Sequence, residues 1–311
     1  MRAYLYERRI EMSVVIVGAG SVGLLLGSYL LESGIKVTMV VRREEQASIL
    51  NSQGIRRLNQ DGSESVFRVH AITDFPTDQT SSVWIVAVKY IDLQDLLLQL
   101  NRIQLKNPML FIQNGLDHFS MANATSIPNL AFATVEHGAR RLDDNTVQHN
   151  GVGLITIGAG RGDAAVFDII EIAHSDNFPI TRHSNAEFAL MRKVLINCVI
   201  NPLTAILEVE NGELLTNPSC HELFISLYDE LLNAFPEMRP YLSLEAVSTV
   251  CQNTAHNKSS MLSDRLAGRQ MEIKTIVTAV IEKATAIHKK VPLLEMLEKM
   301  LYAIDKKEAL L

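Results

Sequence analysis

Ser13-Val14-Val15-Ile16-Val17-Gly18-Ala19-Gly20-Ser21-Val22-Gly23 decides how the first half of the chain is read. Ser13 to Val17 is a β-branched run, and such side chains suit the pleated strand. The run stops at Gly18. Helical spacing follows through Leu24, Leu25, Tyr29 and Leu30 until Gly34, a natural helix stop. Lys36 to Val41 then reads as a second strand. Strand, GxGxxG, helix and strand within about thirty residues is the context in which the glycine motif marks a dinucleotide site. The three glycines do different things. Gly18 makes a tight turn, Gly20 allows close approach to a pyrophosphate, and Gly23 lets helix pack on strand. The helix that begins there turns free N–H groups and its positive end toward phosphate.

The end of the second strand chooses between cofactors. An acidic residue there would hold a ribose 2′-hydroxyl. This chain has Val40-Val41-Arg42-Arg43 instead. Arg42 offers a charged fork to a 2′-phosphate, and such a bond contributes about 1.5 to 3 kcal/mol, a preference for NADP over NAD. Glu44 and Glu45 look like the first turn of the next helix.

Further strands are expected at Ser65 to Ile72, Val83 to Val88, Pro108 to Ile112 and Leu130 to Val135. The almost wholly apolar Val83 to Val88 suits a parallel strand covered on both faces. Lys89 and Asn114 fall at carboxyl ends of strands, where open α/β sheets bind ligands. Either could instead cap a turn. Thr146 to Gly158 reads as a hairpin around Asn150-Gly151, Gly158 to Asp163 as a glycine-rich loop, Ala164 to His174 as helical, and Pro179 to Thr181 as a last short strand.

From Ala186 the alternation disappears. Helical periodicity covers Ala186 to Leu207, Pro218 to Phe235, Leu244 to Thr254, Met271 to Lys289 and Leu293 to Lys306. The first of these places Lys193, Asn197 and Asn201 at successive i, i+4 positions, one polar stripe on an otherwise apolar helix. Buried, such a stripe needs polar partners, from neighbouring backbone or from a small-molecule ligand. Pro202, inside the same helix, removes one backbone donor. Asn211-Gly212-Glu213-Leu214 looks like the C-terminal turn of the stripe helix. Asn257-Lys258-Ser259-Ser260 is a loop entering a helix, suited to a carboxylate or to plain capping. Glu272 lies twelve residues beyond Ser260 among apolar positions. The fold class is therefore α/β: a Rossmann-like doubly wound domain over 13–182 and an all-helical domain over 183–311, preceded by an extension over 1–12.

With 311 residues, 47 % of them hydrophobic, the chain can fill two cores. A net charge of −6 without a dense Lys/Arg run argues against a nucleic-acid partner. No apolar run reaches the roughly 18 to 20 residues of a membrane span, and Met1 to Met12 lacks the apolar core of a signal peptide. Cys198, Cys220 and Cys251 are scattered, which suggests neither disulfides nor a metal site. A cytoplasmic protein is expected.

Taken together, the chain from about Val14 to Ile273 resembles the ketopantoate reductase (2-dehydropantoate 2-reductase) family. The resemblance is carried by Gly18 to Gly23, Gln113-Asn114-Gly115, His137-Gly138-Ala139-Arg140, Lys193 to Ala205, Asn211 to Leu214, and Ser259 to Asp264 through Glu272-Ile273. It implies reduction of 2-dehydropantoate to pantoate by NADPH, a step toward pantothenate and coenzyme A. Lys193 would be the proton donor and Glu272 would stand at the junction of cofactor and substrate. Asn197, Asn201, Asn211 and the loop Asn257, Lys258, Ser259 and Ser260 would hold the keto acid. Gly18, Ala19, Gly20, Ser21, Val22, Gly23, Arg42, Lys89, Asn114 and Ala139 would contact NADP. Arriving hydride creates an alkoxide, so a positioned acid is needed, and lysine, with an ordinary pKa of about 10.4, is charged at neutral pH. The family commonly continues Asp-x-Ile-Asn-Gly after the glutamate, whereas here Lys274-Thr275-Ile276-Val277-Thr278 follows. A reductase of another branched 2-keto acid, or a non-catalytic NADP-binding sensor, would share most of these features. Besides the small-molecule substrate, a second copy of the chain could serve as partner through the helical half.

Overall fold

The computed structural model describes residues 13–76 and 82–308; the extension over 1–12 lies outside them. Twelve strands are described: β1 Ser13–Val17, β2 Lys36–Val40, β3 Ile55–Leu58, β4 Glu64–Phe67, β5 His70–Ile72, β6 Val83–Val86, β7 Met109–Phe111, β8 Leu130–Val135, β9 Gly138–Arg141, β10 Thr146–Gly151, β11 Ile155–Arg161 and β12 Ile180–His183. The chain divides into two compact units, one of residues 1–113 and 118–189, the other of 114–117 and 190–311. The division falls inside the helix Ala186–Leu207, a few residues past the boundary between 182 and 183 expected from the pattern.

In the first unit the large sheet has the order β5-β2-β1-β6-β7-β8-β11-β12. From β5 to β8 all neighbours are parallel; β11 then runs antiparallel to β8. Strand order reverses between β1 and β6, and open α/β sheets bind ligands beyond the carboxyl ends of the strands at such a reversal. β1 and β6 are buried along nearly their whole length, which is why they read as unbroken apolar runs.

A second sheet, β4-β3-β10-β9, is built from two distant stretches, with β3 and β10 parallel. β3 and β9 are not visible in the sequence pattern, being short and, in Ile55-Arg56-Arg57-Leu58 and Gly138-Ala139-Arg140-Arg141, half charged or small. The helix Ser21–Glu32 is tied to β3 and β10 by a buried polar line. Arg57 is 3 % exposed; its guanidinium meets Glu32 at 2.9 Å, Asn59 at 2.7 Å, and the face of Tyr29 at 3.7 Å. Tyr29 O–H is 2.9 Å from His149 Nδ1, and His149 Nε2 is 3.0 Å from both the Gly151 carbonyl and His137 Nδ1. The Gly153 N–H also points at His137 Nδ1, at 3.2 Å. A carbonyl only accepts and an amide only donates. His149 therefore carries its proton on Nε2 and His137 its proton on Nε2, with both Nδ1 atoms accepting. Both rings are neutral: burial, joined for His137 by the facing His149, pushes His137 down to about 4, and burial likewise lowers His149.

The structure departs from the sequence pattern at several places in this unit. Ser65 to Ile72 is two strands in two sheets, because the chain crosses between them at Arg68-Val69. Asn150-Gly151 makes no hairpin: it ends β10 with a shift of register, and β11 returns to pair with β8 and β12 in the large sheet. The needed glycine is Gly153, where any Cβ would collide with the backbone of Glu136 and His137. Gly158 and Gly160 are strand residues of β11 rather than loop; side chains there would strike Ala186 and Leu130.

The second unit is helical, with Ala186–Leu207, Pro218–Ala234, Leu244–Asn253, Ala279–Ala286 and Pro292–Glu308 as its longer helices. Ala186–Leu207 is, against expectation, long and apolar enough to cross a membrane, but 72 % of its apolar stretch is buried as in a core helix. Asn211 to Leu214 is not its last turn. The helix ends at Leu207, Glu208 takes a positive φ of 57°, and Glu213–Thr216 is a separate short helix. Met271 to Lys289 is also not one regular helix, since Lys274–Thr278 forms a π turn.

Candidate functional site

Each unit carries its own set of polar groups. In the first unit, Gly18 has φ +108° and lies so close to Ala87 that a Cβ would be 3.0 Å from its carbonyl carbon. The glycine loop thus packs onto the end of β6, at the reversal of strand order. At Gly23 a side chain would collide with the Gly18 carbonyl, so helix and turn meet backbone to backbone. Gly20 faces open space, with nothing within 4 Å of a Cβ. It also caps the helix Ser21–Glu32 without any side-chain bond to the first-turn N–H groups. These features fit the diphosphate of a dinucleotide, which needs close backbone approach and donors. The Ala19 carbonyl is held from behind by Gln46 Nε2 at 3.3 Å and Arg141 Nη1 at 3.4 Å.

Arg42 extends beyond β2 with its side chain 83 % exposed and pairs with Asp92 at 2.9 Å. Arg43 turns away to Asp144 and the start of the next helix, which Glu44 and Glu45 open as expected. Lys89 is exposed at the N-terminus of the helix Tyr90–Arg102. Ala139 lies half-buried on β9 against the core. Gln113, whose amide donates to the carbonyls of Val86 and Val88 at 2.8 and 3.0 Å, steadies the end of β6. Sequence reasoning does not single out Arg141, Asp92, Gln46 or Gln113 for these contacts. Arg141 follows the motif Ala139-Arg140 directly, the only signal that could have flagged it.

In the second unit, Lys193 Nζ is 3.0 Å from Asn114 Oδ1, and Asn114 Nδ2 is 3.2 Å from Glu272 Oε2. By its contacts Asn114 groups with the helices. The stripe is real: Lys193 and Asn197 are half-buried and Asn201 is 5 % exposed, while their helix neighbours are almost all buried. Asn201 Nδ2 reaches Ser260 Oγ at 3.5 Å. Ser259 is a cap: its hydroxyl accepts from Leu262 N–H at 3.1 Å and lies 2.7 Å from Thr204 Oγ1. Ser260, Asn257 and Lys258 are exposed. Asn211 is docked on the same loop by its N–H to the Asn257 carbonyl at 3.0 Å, and its Nδ2 donates to Thr254 Oγ1 at 2.9 Å. Its Oδ1 is buried with no hydrogen-bond partner among the described residues. Such an acceptor is costly unless a donor arrives. The unit therefore offers a lysine amine, a carboxylate linked to it through one amide, and an unused acceptor.

The family model described as ketopantoate reductase PanE/ApbA matches residues 14–162, and its C-terminal counterpart matches residues 185–305. A 2-dehydropantoate 2-reductase of Listeria innocua is 34 % identical over 299 residues, covering 95 % of this chain and 97 % of that protein. One from Bacillus subtilis is 37 % identical over 279 residues, covering 88 % and 91 %. The crystal structure of a Bacillus subtilis protein named as a probable 2-dehydropantoate 2-reductase superposes with a TM-score of 0.83 at 33 % identity, covering 94 % of this chain and 99 % of that one.

Proposed function

Because the chain belongs to the ketopantoate reductase family of oxidoreductases, we propose that it reduces 2-dehydropantoate to pantoate with NADPH, within pantothenate and coenzyme A synthesis. Gly18 to Gly23 receive the diphosphate, Arg42 the 2′-phosphate, and Lys89 and Ala139 further parts of the cofactor. When bound, the nicotinamide supplies hydride to the ketone carbon. Lys193 gives the proton to the ketone oxygen, and its ammonium stabilises the charge that develops there. Glu272 holds Asn114 in place, so that its Oδ1 accepts from that ammonium. Asn197, Asn201, Asn211 and the Asn257 to Ser260 loop hold the keto acid.

The observation that carries this reading is the line from Lys193 through Asn114 to Glu272. A binder without chemistry needs no such acid, which weighs against a sensor role. Within the reductases, the unused Oδ1 of Asn211 favours a substrate with a hydroxyl to donate. 2-Dehydropantoate has one and 2-ketoisovalerate does not.

Following nicotinamide oxidation with both acids, and with NADPH against NADH, tests the reading. The expected result is turnover of 2-dehydropantoate with NADPH, a loss of about ten- to hundredfold with NADH, and poor use of 2-ketoisovalerate. Asn211→Leu should erase the discrimination between the acids. Tight NADPH binding with no turnover of either acid would overturn the reductase reading.

A further inference from the structure

Beyond Glu272 the backbone does not wind as an α-helix. Over Lys274–Thr278 it forms a π turn, and the Ala279 N–H reaches back five residues to the Lys274 carbonyl. A π turn holds one residue more than an α turn, so it rotates the residues before it by about 100° relative to those after it. It persists only where its surroundings fix it.

Three contacts do so here. Cys198, on the stripe helix, donates its thiol proton to the Ile276 carbonyl at 3.3 Å. Burial raises this thiol's pKa well above the ordinary range, so the proton stays on sulfur. Thr275 Oγ1 reaches the Glu272 carbonyl at 3.5 Å. Gly115, with φ +90°, lies against the Thr275 backbone so closely that any side chain would collide with the Thr275 carbonyl. Gly115 directly follows Asn114, and the π turn directly follows Glu272-Ile273. The backbones bearing both partners of the amide–carboxylate bond are therefore seated on one feature.

We propose that the π turn Lys274–Thr278 is the device that sets Lys193, Asn114 and Glu272 in line, with Thr275, Cys198 and Gly115 as positioning residues for the proton transfer. This rests on the reading of Lys193 as proton donor. The register of Glu272 is fixed by the widened turn, and the register of Asn114 by its docking on the same turn. An α-helical turn in its place would rotate the carboxylate away from the amide.

The test is steady-state kinetics on the full chain with NADPH and 2-dehydropantoate, alongside NADPH affinity and thermal unfolding. Thr275→Val keeps the shape and removes the hydroxyl. It should lower kcat about two- to tenfold, the worth of one hydrogen bond, with NADPH affinity unchanged. The limb on which kcat falls at high pH should move to lower pH, because the lysine loses support from Glu272. Thr275→Ser should restore both kcat and the pH profile. Gly115→Ala should cost more than Thr275→Val in kcat. Wild-type kcat and pH profile in Thr275→Val and Cys198→Ala would overturn the inference. So would losses that track unfolding temperature and are not rescued by Thr275→Ser. Lys193→Ala separates the two levels: if it keeps turnover, the proton-donor reading falls and this inference with it. If it is inactive while Thr275→Val behaves as wild type, only the positioning role fails.

Discussion

The groups proposed to receive the diphosphate in the first unit come from one run of eleven residues, Ser13 to Gly23, and are mostly backbone. Those of the helical unit come from positions 114, 193 to 201, 211, 257 to 260 and 272, and are side chains. A backbone site is specified by what is missing, the Cβ atoms at Gly18 and Gly23. A side-chain site is specified by what is present, and by distant packing that brings it together. The first should fail through geometry when atoms are added; the second should fail through chemistry when they are removed.

The largest effect expected from this contrast is at Lys193. Lys193→Ala should lower kcat by about 10²- to 10⁴-fold, the usual contribution of a positioned acid, while NADPH titration shows unchanged affinity. Equal loss of both would break the division between the units. Arg42→Ala should weaken NADPH by about ten- to hundredfold and leave NADH nearly untouched, read by fluorescence titration with each cofactor. A parallel loss for NADH would place the arginine elsewhere than at the 2′-phosphate.

The third expectation concerns pH. His137 is held neutral down to about 4 in the folded protein, whereas an ordinary histidine charges near 6.5. The unfolded chain thus takes up protons that the folded one refuses. Stability should be full above pH 6.5 and fall as the pH drops from 6.5 toward 4. Urea midpoints across that window, with ring NMR of His137, check it; a ring that charges near pH 6.5 in the folded state refutes it. Acid should therefore damage the first unit through its sheet attachment rather than through the glycine loop. The smallest effect is at Asp92. Its exposed pair with Arg42 is worth little, so Asp92→Asn should tighten NADPH by about twofold. A weakening instead would show that Asp92 itself helps hold the cofactor.

The same contrast explains how much of the molecule is legible in its sequence. The glycine loop, the central strands and four of the five long helical stretches of the second half can be read because their signals are local and periodic. Arg42 and the Lys193 stripe can be read because position alone makes them conspicuous. The small sheet cannot, since β3 and β9 carry weak signals and β3 meets β10 only across about ninety residues of chain. Asn150-Gly151 carries a genuine turn signal, but the bulge ending β10 and the return of β11 to the large sheet override it. The link between Asn114 and Glu272, 158 residues apart, has no trace in spacing. The π turn is invisible too, since Lys274 to Thr278 keeps an ordinary helical pattern.

The split origin of the small sheet also bears on how the protein is made. β3 pairs with β4 on one side, but its other side waits for Thr146 to Gln148. During synthesis, at roughly 5 to 20 residues per second, β3 stands with an unpaired edge for several seconds after it leaves the ribosome. Unpaired edges recruit other strands. Arg56 and Arg57, a charged pair in the middle of that strand, are well suited to discourage such pairing until β10 arrives. The buried line from Arg57 through Tyr29 and His149 to His137 then closes.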